Sequence, residues 1–428
     1  MKKRAFLFPG QGSQYIGMGK ELCGKYAIAD RTFNQANEVL GFDLKKLCFE
    51  GDMEELTKTI NTQPALLTLS VAVFRAFTEE TGITPDYLAG HSLGEFSALT
   101  CSGAINFEDA LRIVRQRGRF MQEAVGIGEG AMAAVSGIDK RFIEEECQLA
   151  STGEKIAVVS NYNSLDQIVI SGHKEIVVKV GEKLKEMGGR YTLLKVSAPF
   201  HSPLMKPAAV LLKEELSKYT YNPLKWPVIS NVTAQEYKGK EEIIDNLSEQ
   251  IVKPVQWQLS MEYLKNHGVL AAVEMGPKNV LTNLMKKNVP SIPVYPCETK
   301  ENILDIGSAL SVSNSDKNAE LTNKKLSFIT KCLAICVCTK NSNWDNGEYQ
   351  KGVVEPYKKI QGLLDLVEKE GKEPGISQLQ EVYDALQSVL LTKKLPLEER
   401  KRIVSQLIEE TGADENFNGL EFGAEYIS

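Results

Sequence analysis

The serine at position 92 lies in the pattern Gly90-x-Ser92-x-Gly94, which could supply a nucleophile for acyl transfer. A short apolar run precedes the pattern, and a segment typical of an amphipathic helix follows it. Small residues on both sides of the serine allow a sharp turn, so the pattern predicts a nucleophile elbow with Ser92 at a helix N-terminus. Free N–H groups and the helix dipole favour developing negative charge there. A chance match in an ordinary turn is the alternative.

The base that such a serine requires would be a histidine, and the chain has four. Three of them adjoin the serine or lie in turns, and are interpreted as structural or surface groups: His91, His173 and His267. His201, which follows Phe200, is therefore predicted to be the general base. A buried histidine with only a structural role is the alternative at this position.

A glycine-rich segment, residues 10–14, follows the first apolar strand. It lacks the third glycine of a dinucleotide-binding loop and the lysine of a P-loop, so both nucleotide interpretations are rejected. Gln11 then stands at the carboxyl end of a strand, where its backbone N–H could form half of an oxyanion hole. A plain strand-to-helix turn explains the same residues equally well.

Composition limits the function classes. The chain has 428 residues, 43% of them hydrophobic and 25% charged, with a net charge of −6, which is typical of a soluble protein of two or three domains. The mildly acidic balance gives no reason to expect nucleic acid or a membrane as partner. The apolar run near the N-terminus is too short for a signal sequence. Eight scattered cysteines are interpreted as reduced thiols of a cytoplasmic protein, and no metal site is predicted.

The order of predicted elements indicates an α/β protein with an insertion and a helical extension. Strands and helices alternate over 1–125 and 197–305, which predicts a large α/β-hydrolase-like domain with ligand groups at the strand ends. Residues 126–196 between them have the β-α-β-β-α-β order of a small ferredoxin-like subdomain. The C-terminal third is predicted to contain, in order, a polar linker at 306–322, a helical bundle at 323–412 and a tail at 413–428.

Five motifs resemble the malonyl-CoA:acyl carrier protein transacylase family, in order and with its spacing, over roughly residues 1–300. They are Gly10-Gln11-Gly12-Ser13-Gln14, Gly90-His91-Ser92-Leu93-Gly94-Glu95, Arg117-Gly118 followed by Phe120-Met121, Phe200-His201-Ser202 and Glu274-Met275-Gly276-Pro277. The resemblance implies transfer of a malonyl group from malonyl-CoA to the phosphopantetheine thiol of an acyl carrier protein, for fatty acid or polyketide biosynthesis. It implies no cofactor.

The resemblance also implies a role for each matching residue. Ser92 would form the acyl ester and His201 would be the general base. The backbone amides of Gln11 and Leu93 would bind the oxyanion. A backbone carbonyl near Gln250 would orient the histidine, in place of an aspartate.

Two further residues would carry specificity. Arg117 would hold the malonyl carboxylate, and because a buried arginine without an anion is costly, a neutral acyl chain would be rejected. Phe200 resembles the malonyl-preferring pattern of the family and would crowd the space that a C2 methyl group needs.

Two other functions stay open: an acyl-carrier-protein thioester hydrolase of the same fold, and a non-catalytic docking scaffold. Related hydrolases typically lack the carboxylate-binding arginine, so Arg117 argues against the first. The retained Ser92, His201 and Gln11 argue against the second. The resemblance does not explain the extension, which is either a stabilising appendage or a docking module. If it docks, the partner would be a carrier protein or a multimodular synthase that the enzyme serves in trans.

Overall fold

The computed structural model describes residues 3–126, 128–194, 196, 198–311, 314–370 and 374–413, together with the single positions 417, 420 and 422. The chain divides into two compact units, Met1–Leu310 and Ser311–Ser428. Most of the predicted tail at 413–428 lies outside the described residues. None of the helices in the described part of the chain has the length and hydrophobicity that a membrane span requires.

The strands of the first unit form two sheets. In chain order they are β1 (Lys3–Phe8), β2 (Tyr87–Gly90), β3 (Gly130–Ser136), β4 (Ala157–Ser164), β5 (Gln167–His173), β6 (Arg190–Leu193), β7 (Val228–Ile229), β8 (Val269–Met275) and β9 (Val294–Cys297). One sheet is parallel, with the order β7-β2-β1-β8-β9. The other is antiparallel, with the order β4-β5-β3-β6. The unit therefore has an α/β architecture.

Helices cover both faces of the parallel sheet, as its apolar strands require. The helices of the first unit are α1 (Lys20–Lys25), α2 (Ala27–Leu40), α3 (Leu44–Glu50), α4 (Met53–Thr57), α5 (Thr59–Thr81), α6 (Leu93–Cys101), α7 (Phe107–Glu123), α8 (Lys140–Ala150), α9 (Lys174–Glu186), α10 (Lys206–Leu216), α11 (Ile243–Gln250), α12 (Trp257–Asn266), α13 (Val280–Asn288) and α14 (Lys300–Leu310). Alternate residues of β1 face opposite sides of the sheet and belong to two different hydrophobic cores. Phe6 and Phe8 pack with α2, α5 and α7, whereas Ala5 and Leu7 pack with α12 and α13.

The register of the parallel sheet brings the segments after β1 and β2 together. Phe8, the last residue of β1, pairs with Gly90, the last residue of β2. The N–H of His91 donates to the carbonyl of Phe8 at 3.0 Å. Carboxyl ends of parallel strands meet at one edge of a sheet, so the glycine-rich segment and the serine motif lie side by side.

The antiparallel sheet is an insertion between α7 and α10, with α8 and α9 packed on it. It is also bonded to the main body through β4. The N–H of Val255 donates to the carbonyl of Ser160, and the N–H of Tyr162 donates to the carbonyl of Val255, both at 2.9 Å. The inserted sheet is therefore held against the large domain by backbone hydrogen bonds.

The second unit is helical and has its own hydrophobic cluster. Its helices are α15 (Asn314–Cys338), α16 (Asn346–Tyr349), α17 (Glu355–Glu370), α18 (Ile376–Thr392) and α19 (Leu397–Thr411), with a π-helical segment over Gln350–Val354. Cys332 and Cys336 are buried in this core, whereas Cys338 is exposed.

The structure differs from the predicted polar linker at 306–322. Helix α14 extends to Leu310, because Ile303 and Ile306 are buried in the core of the first unit. Helix α15 already begins at Asn314, nine residues before the predicted bundle. Lys and Glu have good helix propensity, so polarity alone is not a reliable sign of a linker.

Candidate active site

Ser92 occupies a strained elbow between β2 and α6. Its backbone has φ 51° and ψ −105°, a conformation that side chains other than glycine rarely adopt. A Cβ atom on Gly90 would lie 1.9 Å from the carbonyl carbon of Gly94, and one on Gly94 would lie 1.9 Å from the carbonyl oxygen of Phe8. The backbone approaches so closely at both positions that only glycine fits. The elbow places Ser92 at the start of a helix.

His201 lies beside this serine. Its Nε2 is 2.8 Å from Ser92 Oγ, and its Nδ1 is 2.7 Å from the backbone carbonyl oxygen of Gln250. Because a carbonyl only accepts, Nδ1 carries the hydrogen and Nε2 is free to accept the serine proton. Burial, followed by the nearby charge of Arg117, lowers the pKa of His201 to about 3. The histidine is therefore neutral at ordinary pH and ready to act as a base.

Arg117 of α7 is a buried cation next to the nucleophile. Its Nη2 lies 3.3 Å from Ser92 Oγ and 2.9 Å from Gln250 Oε1, and its guanidinium carbon lies 5.2 Å from the ring centre of Phe96. Burial lowers its pKa to about 10, so it remains charged at neutral pH. Among the described residues it forms no ion pair, and its Nε–H has no acceptor. An anionic group in the site would supply the missing counter-charge.

Leu93 and Gln11, whose backbone amides were expected to bind an oxyanion, lie on either side of the elbow and both line the cavity described below. Leu93 is the first residue of α6, so its N–H has no acceptor within the helix. The segment that contains Gln11 packs closely against the elbow. A Cβ atom on the neighbouring Gly10 would lie only 2.4 Å from the carbonyl oxygen of His91. The side-chain amide of Gln11 donates to Thr59 Oγ1 at 3.3 Å.

The nucleophile, the histidine and the arginine line a common cavity of about 680 Å³. Six of the seven residues predicted from the sequence line it: Gln11, Ser92, Leu93, Arg117, Phe200 and His201. The seventh, Gln250, lies behind Ser92 and Arg117 and is fully buried. The inserted sheet supplies a further wall, which includes Asn161 and Val169. Within the described ranges, no group of three or more His, Cys, Asp or Glu side chains is placed to hold a metal ion.

Sequence patterns did not reveal two residues that support the site, Asn231 and Glu95. Asn231 stabilises the elbow through two hydrogen bonds to its backbone. Its Oδ1 accepts from the N–H of Ser92 at 2.7 Å, and its Nδ2 donates to the carbonyl of Gly90 at 2.6 Å. Glu95 is fully buried beneath Gln250. His91 lines the cavity and its Nε2 lies 2.8 Å from Asn163 Oδ1. The only sequence signal for Glu95 was its place in the serine motif.

Comparison with known proteins agrees with this geometry. A parallel α/β sheet with a serine elbow, a histidine and a buried arginine defines a serine-dependent acyltransferase, and the model of the acyl transferase domain matches residues 5–333. Within that class, the chain belongs to the malonyl CoA-acyl carrier protein transacylase family. It is 39% identical over 404 residues to such a transacylase from Bacillus subtilis, which covers 94% of this chain and 100% of the relative. It is 47% identical over 293 residues to that of Escherichia coli K12, which covers 68% of this chain and 94% of the relative.

Solved structures give the same result. The malonyl CoA-acyl carrier protein transacylase of Coxiella burnetii matches with a TM-score of 0.71 and 41% identity, over 72% of this chain and 98% of that one. A malonyl-transacylase in complex with a type II polyketide synthase acyl-carrier protein matches with a TM-score of 0.70 and 40% identity, over 72% of this chain and 99% of that one. The 404-residue match to the Bacillus subtilis relative must extend into the second unit, because the first unit ends at Leu310.

Proposed function

We propose that this chain transfers a malonyl group from malonyl-CoA to the phosphopantetheine thiol of an acyl carrier protein, through an acyl ester on Ser92. The observation that carries the proposal is the convergence on one oxygen: Ser92 Oγ lies 2.8 Å from His201 Nε2 and 3.3 Å from Arg117 Nη2. The pathway would be fatty acid or polyketide biosynthesis. The names of the relatives support the same substrates.

In the first half-reaction, His201 Nε2 takes the proton of Ser92 as Oγ attacks the thioester carbon of malonyl-CoA. The carbonyl oxygen becomes an oxyanion, which the N–H groups of Gln11 and Leu93 would stabilise by about 3 kcal/mol each. Collapse of this intermediate breaks the carbon–sulfur bond. The CoA thiolate leaves with the proton from His201, and Ser92 carries the malonyl ester.

In the second half-reaction, His201 takes the proton of the carrier thiol, and the thiolate attacks the ester carbon. The same two amides bind the second oxyanion. Collapse breaks the bond to Ser92 Oγ, which recovers its proton from His201. The acyl donor, malonyl-CoA, and the acyl acceptor, the carrier thiol, use the same cavity. CoA therefore leaves before the carrier protein enters, and the kinetics are ping-pong.

Specificity for malonyl would come from Arg117, which accepts a carboxylate as its counter-ion. Phe200 is 7% exposed and lines the cavity, which is consistent with crowding at a C2 substituent. A hydrolase of the same fold would not need the buried cation. The proposal is tested by following labelled malonyl-CoA with and without holo carrier protein: label must reach the carrier thiol, whereas release as free malonate without carrier would favour the hydrolase.

The finer points of the fold and setting are also proposals. We propose that the large domain is α/β-hydrolase-like, from its elbow, and that the insertion is ferredoxin-like, from its strand order. We propose a cytoplasmic location, which is consistent with eight free cysteines, all within the described residues. The second unit is proposed to dock a carrier protein or a multimodular synthase, because it is a separate helical unit with its own hydrophobic cluster.

A further inference from the structure

Glu95 is a buried carboxylate that the proposed reaction does not use. It occupies the first turn of α6 and is 0% exposed. Its Oε1 accepts from the Tyr237 hydroxyl at 2.6 Å, and its Oε2 accepts from Gln250 Nε2 at 2.6 Å and from the N–H of Asn231 at 3.2 Å. Across the described residues it forms no ion pair. A carboxylate buried without a cation is costly, so its position requires a compensating interaction.

The side chain of Gln250 connects this carboxylate to Arg117. Its Nε2 donates to Glu95 and, at 2.9 Å, to the carbonyl of Ser92, while its Oε1 accepts from Arg117 Nη2 at 2.9 Å. A guanidinium can only donate and an ionised carboxylate can only accept, so the orientation of the amide between them is fixed. One amide therefore joins the two opposite charges in the buried interior.

We infer that Glu95 is a positioning residue, which holds Arg117 in place for the malonyl carboxylate through the side-chain amide of Gln250. The inference rests on the proposed malonyl transfer and assigns a further residue to its specificity.

Proton transfer should be largely independent of this connection. His201 is oriented by the backbone carbonyl of Gln250, whereas Glu95 bonds the side chain of that residue. Gln250 is the last residue of helix α11, so we expect a change in its side-chain amide to leave its backbone carbonyl in place. Glu95 should consequently influence binding of the carboxylated substrate more than the reactivity of Ser92.

The test is Glu95→Gln in the full-length chain, which removes the charge and keeps the shape. We expect KM for malonyl-CoA to rise about tenfold with kcat changed less than about threefold, because a hydrogen bond to a charged group is lost. Sulfonylation of Ser92 by phenylmethylsulfonyl fluoride, a neutral reagent, should keep its rate. In an Arg117→Ala background the same substitution should have no further effect on KM.

Glu215→Gln is the matched control. Glu215 is 8% exposed and accepts from the Tyr219 hydroxyl at 2.8 Å, but it lies on α10, outside the residues that line the cavity. It should leave KM unchanged. Gln250→Met, which removes the amide and retains the backbone carbonyl, should reproduce the rise in KM and serves if Glu95→Gln does not fold.

Equal losses with malonyl-CoA and with the neutral reagent, or an undiminished effect in the Arg117→Ala background, would show that Glu95 is only structural. An unchanged KM in both Glu95→Gln and Gln250→Met would also overturn the inference. Failure of the malonyl-transfer proposal is distinct from these outcomes, because the wild-type chain would then not accept malonyl at all.

The pH dependence of KM gives a second readout. Burial raises the pKa of Glu95 to about 7, against the lowering effects of its hydrogen bonds and of the Arg117 charge. The titratable groups that face it are Tyr237, whose pKa is raised, and Arg117, with His201 beyond Gln250. Glu95 is charged above this pKa, so wild-type KM should rise toward the Glu95→Gln value as pH falls from 8.5 to 6. Parallel KM profiles for the two proteins would contradict this.

Discussion

At the scale of single residues, the site depends on a neutral base next to a permanent cation. His201 is buried and Arg117 is nearby, and both effects disfavour a proton on the imidazole. The histidine therefore keeps its base form at pH values where an exposed histidine would be protonated. The same environment leaves the charge of Arg117 to be balanced by the substrate.

We predict that the acylation rate is flat from pH 8 to pH 5 at saturating malonyl-CoA. The pKa of His201 is lowered to about 3, so its base form is lost only as the pH falls through that value. An ordinary histidine with a pKa of about 6.5 would slow the reaction about thirtyfold at pH 5. Rapid-quench measurement of malonyl-Ser92 gives the profile, and a break near pH 6.5 would show that the histidine is not shielded. Saturating substrate removes any effect of Glu95 on KM.

Arg117→Ala is predicted to lower kcat/KM for malonyl-CoA about a hundredfold, because charge-assisted hydrogen bonds contribute about 1.5–3 kcal/mol. Acylation by acetyl-CoA should not fall. The control is Arg112→Ala, an exposed arginine of the same helix that pairs with Asp109 at 3.2 Å. Equal losses with both acyl donors in steady-state assays would remove the carboxylate-binding role from Arg117.

Local motifs brought forward Ser92, His201 and Gln11 as candidates, and the resemblance to the family added Arg117; all four line one cavity in the structure. Sequence reasoning could not place Glu95 or Asn231 in the site. Their contacts join positions more than 130 residues apart, such as Asn231 to Ser92 and Gln250 to Glu95. Such contacts follow from the register of the parallel sheet and the path of the chain, which local patterns do not specify.

At the scale of elements, the turn from β2 into α6 stores strain that the surrounding backbone must support. The hydrogen bonds of Asn231 to the N–H of Ser92 and to the carbonyl of Gly90 supply part of that support. The glycines supply the remainder, because they allow the turn to approach β1 closely.

Gly94→Ala should destabilise the chain by more than about 2 kcal/mol, since a Cβ atom would lie 1.9 Å from the carbonyl oxygen of Phe8. Gly24→Ala in α1 is the control, because a Cβ there meets nothing within 4 Å. It should be neutral or slightly stabilising. Urea unfolding measures both variants, and a Gly94→Ala chain as stable as the wild type would mean that the elbow can relax.

The element order of the first unit could be predicted, because apolar strands alternate with amphipathic helices. The residues at which individual helices begin were harder to predict. Proline is favoured in the first turn of a helix, but Pro64 lies inside α5, which begins at Thr59. The polar stretch after Leu310 was expected to be irregular and is helical from Asn314. In both places the local pattern was compatible with more than one structure.

At the scale of the whole molecule, the two units have separate hydrophobic clusters. The Escherichia coli relative covers only 68% of this chain, and the match includes 94% of that relative. The matched length of 293 residues is close to that of the first unit, Met1–Leu310. The second unit is a helical addition whose proposed role is to select a partner.

A chain that ends at Leu310 is predicted to fold and to malonylate Ser92 within about threefold of the full-length rate, because compact units with their own cores usually fold alone. If the second unit docks a partner, its removal should affect partner binding rather than malonylation. Capture of the cognate carrier protein or synthase should weaken on truncation, measured by pull-down with the full-length chain as control. Unchanged capture and transfer would remove the docking proposal and leave a stabilising appendage.

The central claim is that Ser92 carries a malonyl ester that a carrier thiol then receives. Intact-mass spectrometry after incubation with malonyl-CoA, with acetyl-CoA in parallel, tests it most directly. The structure predicts a malonyl adduct on the wild-type chain that is absent in Ser92→Ala and disappears when holo carrier protein is added, with the mass gained by the carrier. An adduct that never forms, or that decays to free acid before the carrier is added, would contradict the account.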